Sequence, residues 1–173
     1  MKKGGMNTSS SRRRALLAAA VSTLALAGCG FELRRAPVFA FKSLAVPGTS
    51  AFVNSLRRQF RAAGNVELVP LEEQARADAI LDVLSENRGT VVLSTNSAGQ
   101  VRELQLRLVM RIRLRTPAGK ELLGPTQIEQ FRDITYNETA ALAKESETEL
   151  LYRDMQNDIA QQTLRRLAAV KSL

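Results

Sequence analysis

The side chains that most often carry acid–base or metal chemistry are scarce in this chain. It contains no histidine, and Cys29 is its single cysteine. Histidine is the commonest metal ligand and a frequent general base near neutral pH, and a lone cysteine excludes an intramolecular disulfide and a multi-thiolate zinc site. An enzyme would have to use a Ser–Lys pair or paired carboxylates, and no residue spacing supports either. We therefore predict a protein without catalytic activity, metal or cofactor.

The densest group of acidic residues is Glu145, Glu147 and Glu149. The segment has helical periodicity, so Glu145 and Glu149 would share a face while Glu147 points elsewhere. No partner base lies nearby in the sequence. The group is typical of a solvated helix surface.

Basic side chains offer a different chemistry, the binding of anions. Residues 103–115 alternate between apolar side chains and a face that carries four arginines, Arg107, Arg111, Arg113 and Arg115. Like charges on one strand face repel each other unless acids or anions lie between them. Two explanations remain open: cross-strand pairing with Glu129 and Asp133 of the next strand, or an anionic ligand.

The position of the lone thiol suggests covalent attachment of lipid. Residues 1–28 carry five basic and no acidic residues, and their apolar stretch (15–27) is too short to cross a bilayer core of about 30 Å. These are features of a secretory signal. Leu26-Ala27-Gly28-Cys29 resembles the lipobox of bacterial lipoproteins. We predict cleavage before Cys29, anchoring by acyl chains on that residue, and, because Gly30 follows, delivery to the periplasmic side of the outer membrane.

Removal of the leader changes the charge of the chain. Five of the 25 lysines and arginines lie in residues 1–28, so the remainder has 20 against 17 acidic residues, a net charge of +3. Aromatic residues make up 5% of the chain, and tryptophan is absent. A nucleic-acid-binding domain is usually more basic and richer in stacking aromatics. We predict no nucleic-acid partner.

The rest of the chain reads as a tether, residues 29–41, followed by a single domain, residues 42–173. The predicted order is β-α-β-β-β-α, with strands at 42–46, 79–93, 104–114 and 126–136. Residues 66–69 are a further possible short strand. The class is α+β: a small antiparallel or mixed four-stranded sheet with two helices packed on one face.

Capping residues bound the two predicted helices. Ser50 is a suitable N-cap and Gly64 a suitable C-cap for the first helix, and Asn137 is a suitable N-cap for the second. The apolar stripe of the second helix comprises Leu142, Leu151, Met155, Ile159, Leu164, Leu167 and Val170, widened by Leu150 and Tyr152. In the last strand, Ile128 and Phe131 are separated by an odd number of residues, which would place them on opposite faces of the sheet. A β-bulge between them would bring both to the same face.

Several segments stand in an order typical of one bacterial family. They are Cys29-Gly30-Phe31-Glu32-Leu33-Arg34, Gly99-Gln100, Glu103-Leu104-Gln105, Phe131-Arg132, Ala141-Leu142-Ala143-Lys144-Glu145-Ser146-Glu147 and Leu164-Arg165-Arg166-Leu167. In this respect the chain resembles the lipopolysaccharide-assembly lipoproteins of the LptE family. The resemblance implies a subunit that assembles with and plugs an outer-membrane β-barrel, LptD, and assists insertion of lipopolysaccharide into the outer leaflet. The alternative is an accessory lipoprotein subunit of another envelope lipid-transport system.

The same resemblance implies where lipopolysaccharide would bind. Lys144 matches the family's Ala-Leu-Ala-Lys motif and is the first candidate for a phosphate contact, although an ordinary ion pair with Glu147 explains it equally well. The family also has a basic residue near the tip of its central hairpin. The tip here, residues 95–99, is uncharged, and Arg102 is the nearest substitute. Arg107 and Arg111 complete the candidate set.

Overall fold

A computed structural model of the protein describes residues 37–137, 139 and 141–173. The predicted signal peptide, the lipidation site Cys29 and tether residues 29–36 lie outside the described residues. The elements, in chain order, are β1 (Ser43–Ala45), α1 (Ala51–Ala63), β2 (Glu67–Leu68), a 3-10 helix (Leu71–Arg76), β3 (Ala79–Thr95), β4 (Val101–Arg115), β5 (Glu121–Thr135) and α2 (Ala141–Ala168).

The strands form one mixed sheet in the order β2-β1-β3-β4-β5. β1 runs parallel to both β2 and β3, whereas β3, β4 and β5 form an antiparallel meander. The predicted α+β class with helices on one face is confirmed. The predicted count of four strands is wrong by one, because β2 is a fifth strand. It lies within residues 66–69, which the sequence offered as a further possible short strand, and it pairs with β1.

The alternating pattern of β4 gives the core its central layer. Because successive side chains of a strand point to opposite faces, the even-numbered residues lie under the helices. The fully buried ones are Leu106, Leu108, Met110, Ile112 and Leu114. They pack with the buried faces of α1 and α2 in one cluster. Burial of each such side chain stabilises the fold by about 1.5–3 kcal/mol.

The predicted caps of α1 are confirmed. The hydroxyl oxygen of Ser50 accepts a hydrogen bond from the backbone N–H of Val53 at 3.1 Å. Gly64 has φ +72°, and its N–H donates to the carbonyl of Phe60 at 3.3 Å. Glycine adopts this left-handed conformation without steric strain, because it has no Cβ.

The start of α2 differs from the prediction. The helix begins at Ala141, and the Asn137 side chain accepts hydrogen bonds from the N–H and hydroxyl of Thr139, so it caps the preceding turn. Leu142 is 83% exposed and Leu150 is also exposed. Their assignment to the core stripe is therefore wrong. The buried stripe begins at Tyr152, because the first turns of α2 extend past the core.

Two register shifts occur in β5, but neither lies where the sequence suggested. Ile112 pairs with Thr126 and Leu114 with Leu123, so one extra residue lies at Gly124–Pro125. Arg115 pairs with Glu121, so Leu122 is the other. The register is unbroken between Ile128 and Phe131. The predicted bulge between those two residues is wrong, and Phe131 points away from the core.

Candidate functional site

One face of the sheet is left uncovered by the described helices, and we term it the outer face. It carries the odd-numbered side chains of β4, among them the four arginines predicted as a basic ladder, Arg107, Arg111, Arg113 and Arg115. The structure therefore places all four on the same side of one strand. Their surroundings divide them into two pairs.

Arg113 and Arg115 share one carboxylate, that of Asp82 in β3, the other strand that pairs with β4. The Asp82 carboxylate accepts hydrogen bonds from Arg113 Nη2 and from Arg115 Nε, each at 2.8 Å. Partial burial favours the neutral acid, but the hydrogen bonds from Arg115 and Arg113 outweigh it and lower the pKa of Asp82 below 3.8. The same contact raises the pKa of Arg115. Glu121 lies at 3.9 Å from Arg113 and adds a weaker contact.

The acids that the sequence suggested as partners do not pair with the arginines. Glu129 lies opposite Val109 in the register, and Asp133 accepts a hydrogen bond from Gln105 Nε2 at 2.9 Å. Neither forms an ion pair with a described arginine. That prediction is wrong because pairing depends on register across both neighbours of β4, and Asp82 lies in the preceding strand.

Arg107 and Arg111 lack a carboxylate partner among the described residues. Arg107 Nε donates to the Gln105 side chain at 2.8 Å, and Arg111 makes no side-chain hydrogen bond within residues 37–137, 139 and 141–173. Apolar side chains surround them on the same face. Phe131, directly opposite Arg107 in the register, is 58% exposed. We call this group the distal patch: Arg107, Arg111, Val91, Val109 and Phe131.

The distal patch combines two properties that rarely occur together on a solvated sheet. Guanidinium groups form directional hydrogen bonds with phosphate oxygens, and exposed apolar side chains offer a surface for alkyl chains. The arrangement can therefore hold an anionic group beside an apolar one.

Lys144 lies elsewhere, on the helix side of the sheet. Its ammonium group contacts Glu147 Oε2 at 2.7 Å, one turn along α2. The ion pair that the sequence offered as the ordinary explanation is thus present. Glu149 is also paired, with Arg88 Nη1 at 3.2 Å. No group of three potential metal-ligating side chains occurs in the described part of the chain.

Arg102 stands at the beginning of β4, near the connection from β5 to α2. Its carbonyl accepts a hydrogen bond from the N–H of Tyr136 at 2.7 Å. Its side chain helps to line a shallow cavity of about 180 Å³ with Asn137 and Thr139. The hairpin tip beside it is closed by Asn96, whose side-chain oxygen accepts from the N–H groups of Ala98 and Gln100.

The four candidate residues therefore occupy two surfaces. Arg107 and Arg111 share the outer face, whereas Lys144 and Arg102 lie near the β5–α2 connection. The motif Phe131-Arg132 is divided by the strand pleat: Phe131 faces outwards, and Arg132 contacts Asp158 of α2 at 2.7 Å. The sequence pattern was not used to identify Phe131 as exposed. Phe131 stands three residues after the buried Ile128, and an odd separation in a regular strand places two side chains on opposite faces.

Comparison with known proteins supplies a family match. The sequence profile of the LptE family, described as lipopolysaccharide-assembly, matches residues 41–167. The LPS-assembly lipoprotein LptE of Yersinia enterocolitica is 32% identical over 162 residues, which cover 90% of this chain and 75% of that protein. The LptE of a Yersinia pestis strain is 32% identical over 156 residues, covering 87% and 73%.

Solved structures share the fold. Lipoprotein B from Nitrosomonas europaea superimposes with a TM-score of 0.69 at 29% identity, covering 81% of this chain and 91% of that one. The rare lipoprotein B from Shewanella oneidensis gives a TM-score of 0.63 at 24% identity, covering 73% and 94%. Neither α1 nor α2 is long and apolar enough to span a membrane, and the same holds for every helix among the described residues.

Proposed function

Because the chain belongs to the LptE family of lipopolysaccharide-assembly lipoproteins, we propose that it assembles with an LptD-like outer-membrane β-barrel, plugs its lumen and assists lipopolysaccharide insertion into the outer leaflet. The observation that carries the proposal is the family match across nearly the whole described domain. The chain is a lipopolysaccharide-assembly lipoprotein, and that role is structural and not catalytic. Acyl chains on Cys29 would hold it at the periplasmic side of the outer membrane.

The distal patch is our first candidate for contact with lipopolysaccharide. That lipid carries phosphates next to acyl chains, so its binder needs cations beside apolar surface. Arg107 and Arg111 are free of carboxylates among the described residues, and Phe131 supplies the apolar neighbour. Arg113 and Arg115 are less available, because both already contact the Asp82 carboxylate.

Lys144 and Arg102 form the second candidate region. The Lys144–Glu147 pair lies within one helix, where such pairs contribute about 0.3–0.5 kcal/mol, so a phosphate would displace Glu147 from Lys144 at small cost. Arg102 lines the shallow cavity at the β5–α2 connection together with the neutral residues Asn137 and Thr139.

Contact with the barrel is supported by exposed apolar side chains at the distal end of the domain, the end that holds the β3–β4 hairpin and the start of α2. Phe131 and Val91 lie on the outer face, Val92 lies on the helix side, and Leu142 and Leu150 lie on α2. Apolar surface of this kind on a small protein is typical of a protein interface. A barrel wall that surrounds this end would cover both faces of the sheet.

Affinity purification from outer membranes tests the barrel partner. The tagged, lipidated protein is isolated in a mild detergent, and the proteins recovered with it are identified and quantified by mass spectrometry. We expect a barrel similar to LptD in stoichiometric amount. Recovery of the protein without such a barrel would refute the plug function and favour an accessory subunit of another lipid-transport system.

Direct binding tests the lipid contact. The double variant R107Q/R111Q should bind lipopolysaccharide at least tenfold more weakly, since each charge-assisted hydrogen bond contributes about 1.5–3 kcal/mol. R165Q is the matched control, because Arg165 is an exposed arginine at the far end of α2. Equal binding by all three proteins would remove the distal patch from the lipid site.

A further inference from the structure

A groove lies between α1 and α2, on the helix side of the domain and away from the outer face. Its volume is about 420 Å³, and its lining residues are Ala51, Asn54, Ser55, Arg58, Arg153, Gln156 and Asn157. Six of the seven are polar or charged, and no acidic side chain is among these described lining residues. The seam beneath it is fixed, because Ser55 Oγ donates to Asn157 Oδ1 at 2.9 Å and Gln59 Nε2 donates to the Asn157 carbonyl at 3.3 Å.

Two arginines from different helices line the groove. Arg58 comes from α1 and Arg153 from α2, and neither forms a hydrogen bond or ion pair with a described residue. Glu149, one turn before Arg153 on α2, is already paired with Arg88. Two like charges at one concave site repel each other, and a bound anion removes that repulsion.

Gln156 adds a neutral donor beside the two arginines. It lines the groove, and its amide forms no hydrogen bond with another described residue. Its N–H groups can therefore donate to a ligand oxygen in the groove.

We propose that the groove between α1 and α2 binds a phosphate group, held by the Arg58 and Arg153 guanidiniums and by the Gln156 amide. A phosphate monoester carries a charge of about −1.5 to −2 and three acceptor oxygens, which matches two guanidiniums and one neutral donor. A single carboxylate is satisfied by one arginine fork and would leave the second guanidinium unpaired. The site is separate from the distal patch and does not depend on the barrel partner.

Nuclear magnetic resonance of the full lipidated protein in a non-ionic detergent tests the site. Inorganic phosphate is titrated at constant ionic strength, and the side-chain N–H signals of Gln156, Arg58 and Arg153 are followed. We expect saturable shifts of all three signals. R58Q and R153Q should each weaken binding about tenfold, from the loss of one charge-assisted hydrogen bond. R165Q removes the same charge outside the groove and should leave the affinity unchanged.

Two further measurements distinguish a lipid headgroup from free phosphate, and a phosphate ligand from a carboxylate. Stronger competition by a short-chain phosphatidic acid than by short-chain phosphatidylcholine would identify a lipid headgroup as the source, and equal affinity for inorganic phosphate and phosphatidic acid would identify free phosphate. Either result supports the site. Absence of saturable shifts, equal competition by acetate, or undiminished affinity in both R58Q and R153Q would overturn it. Because Arg58 and Arg153 have no partners within the described residues, both variants should keep the parental melting temperature, which circular dichroism checks.

Discussion

Replacement of Asp82 by asparagine tests whether the Asp82 carboxylate distinguishes Arg113 and Arg115 from Arg107 and Arg111 on the outer face. The Asp82 side chain is 15% exposed and accepts from both Arg113 and Arg115. Asparagine keeps the volume and one acceptor oxygen but removes the charge. Charge-assisted hydrogen bonds contribute about 1.5–3 kcal/mol each. Because an amide retains part of that and both arginines are partly solvated, we expect D82N to lower the free energy of unfolding by about 2 kcal/mol.

The loss should depend on pH in a defined direction. The pKa of Asp82 is lowered in the folded protein, so its contribution is complete above the unfolded pKa. It disappears as the pH falls through the folded pKa. The difference between parent and D82N should therefore be constant at neutral pH and shrink below pH 3.8. Urea unfolding followed by circular dichroism, at neutral pH and at a series of acidic pH values, measures both quantities.

D133N is the matched stability control. Asp133 lies on the same face but accepts only from Gln105 among the described residues, so the change should stay within about 0.5 kcal/mol. D82N should also bind lipopolysaccharide more tightly than the parent, because Arg113 and Arg115 become available. A stability difference that does not vary with pH would refute the ionised carboxylate as its cause. Unchanged lipid binding would show that these arginines do not contact the lipid.

Three further predictions concern the core and the distal end. Y152F removes the hydrogen bond from the Tyr152 hydroxyl to the Gly89 carbonyl (2.8 Å) and should lower the free energy of unfolding by about 1 kcal/mol; an unchanged urea midpoint would contradict this. L108A leaves a cavity at a fully buried position and should lower the free energy of unfolding by about 2–5 kcal/mol in the same assay. A smaller decrease would contradict this, because it would mean that neighbouring side chains fill the cavity. F131S should change the stability by no more than about 0.5 kcal/mol but reduce recovery of the barrel in affinity purification several-fold; undiminished recovery would exclude Phe131 from the interface.

The parts of the fold that the sequence predicted correctly are those indicated by local patterns of residues. The alternation from Leu104 to Leu114 reports which face of a strand is buried, because the side-chain period is two. Ser50 and Gly64 report the ends of α1, because capping involves residues within one turn of each other. The predicted family also follows from segments read along the chain, and the family match confirms it.

The same local reasoning failed where a long-range contact decides the outcome. The register shifts of β5 lie at Gly124–Pro125 and at Leu122, and not between Ile128 and Phe131, because pairing with β4 sets them. Leu142 has the helical spacing of a core residue, yet it is exposed because α2 begins beyond the edge of the core.

The candidate sites divide in the same way. The sequence by itself determined that arginines share one strand face and that the chain lacks histidine, since these follow from residue type and strand period. Only the folded structure shows that Asp82 contacts both Arg113 and Arg115, that Phe131 stands beside Arg107, and that Arg58 and Arg153 line one groove. Each of these contacts joins residues far apart in the chain, and sheet register and helix packing set their distances.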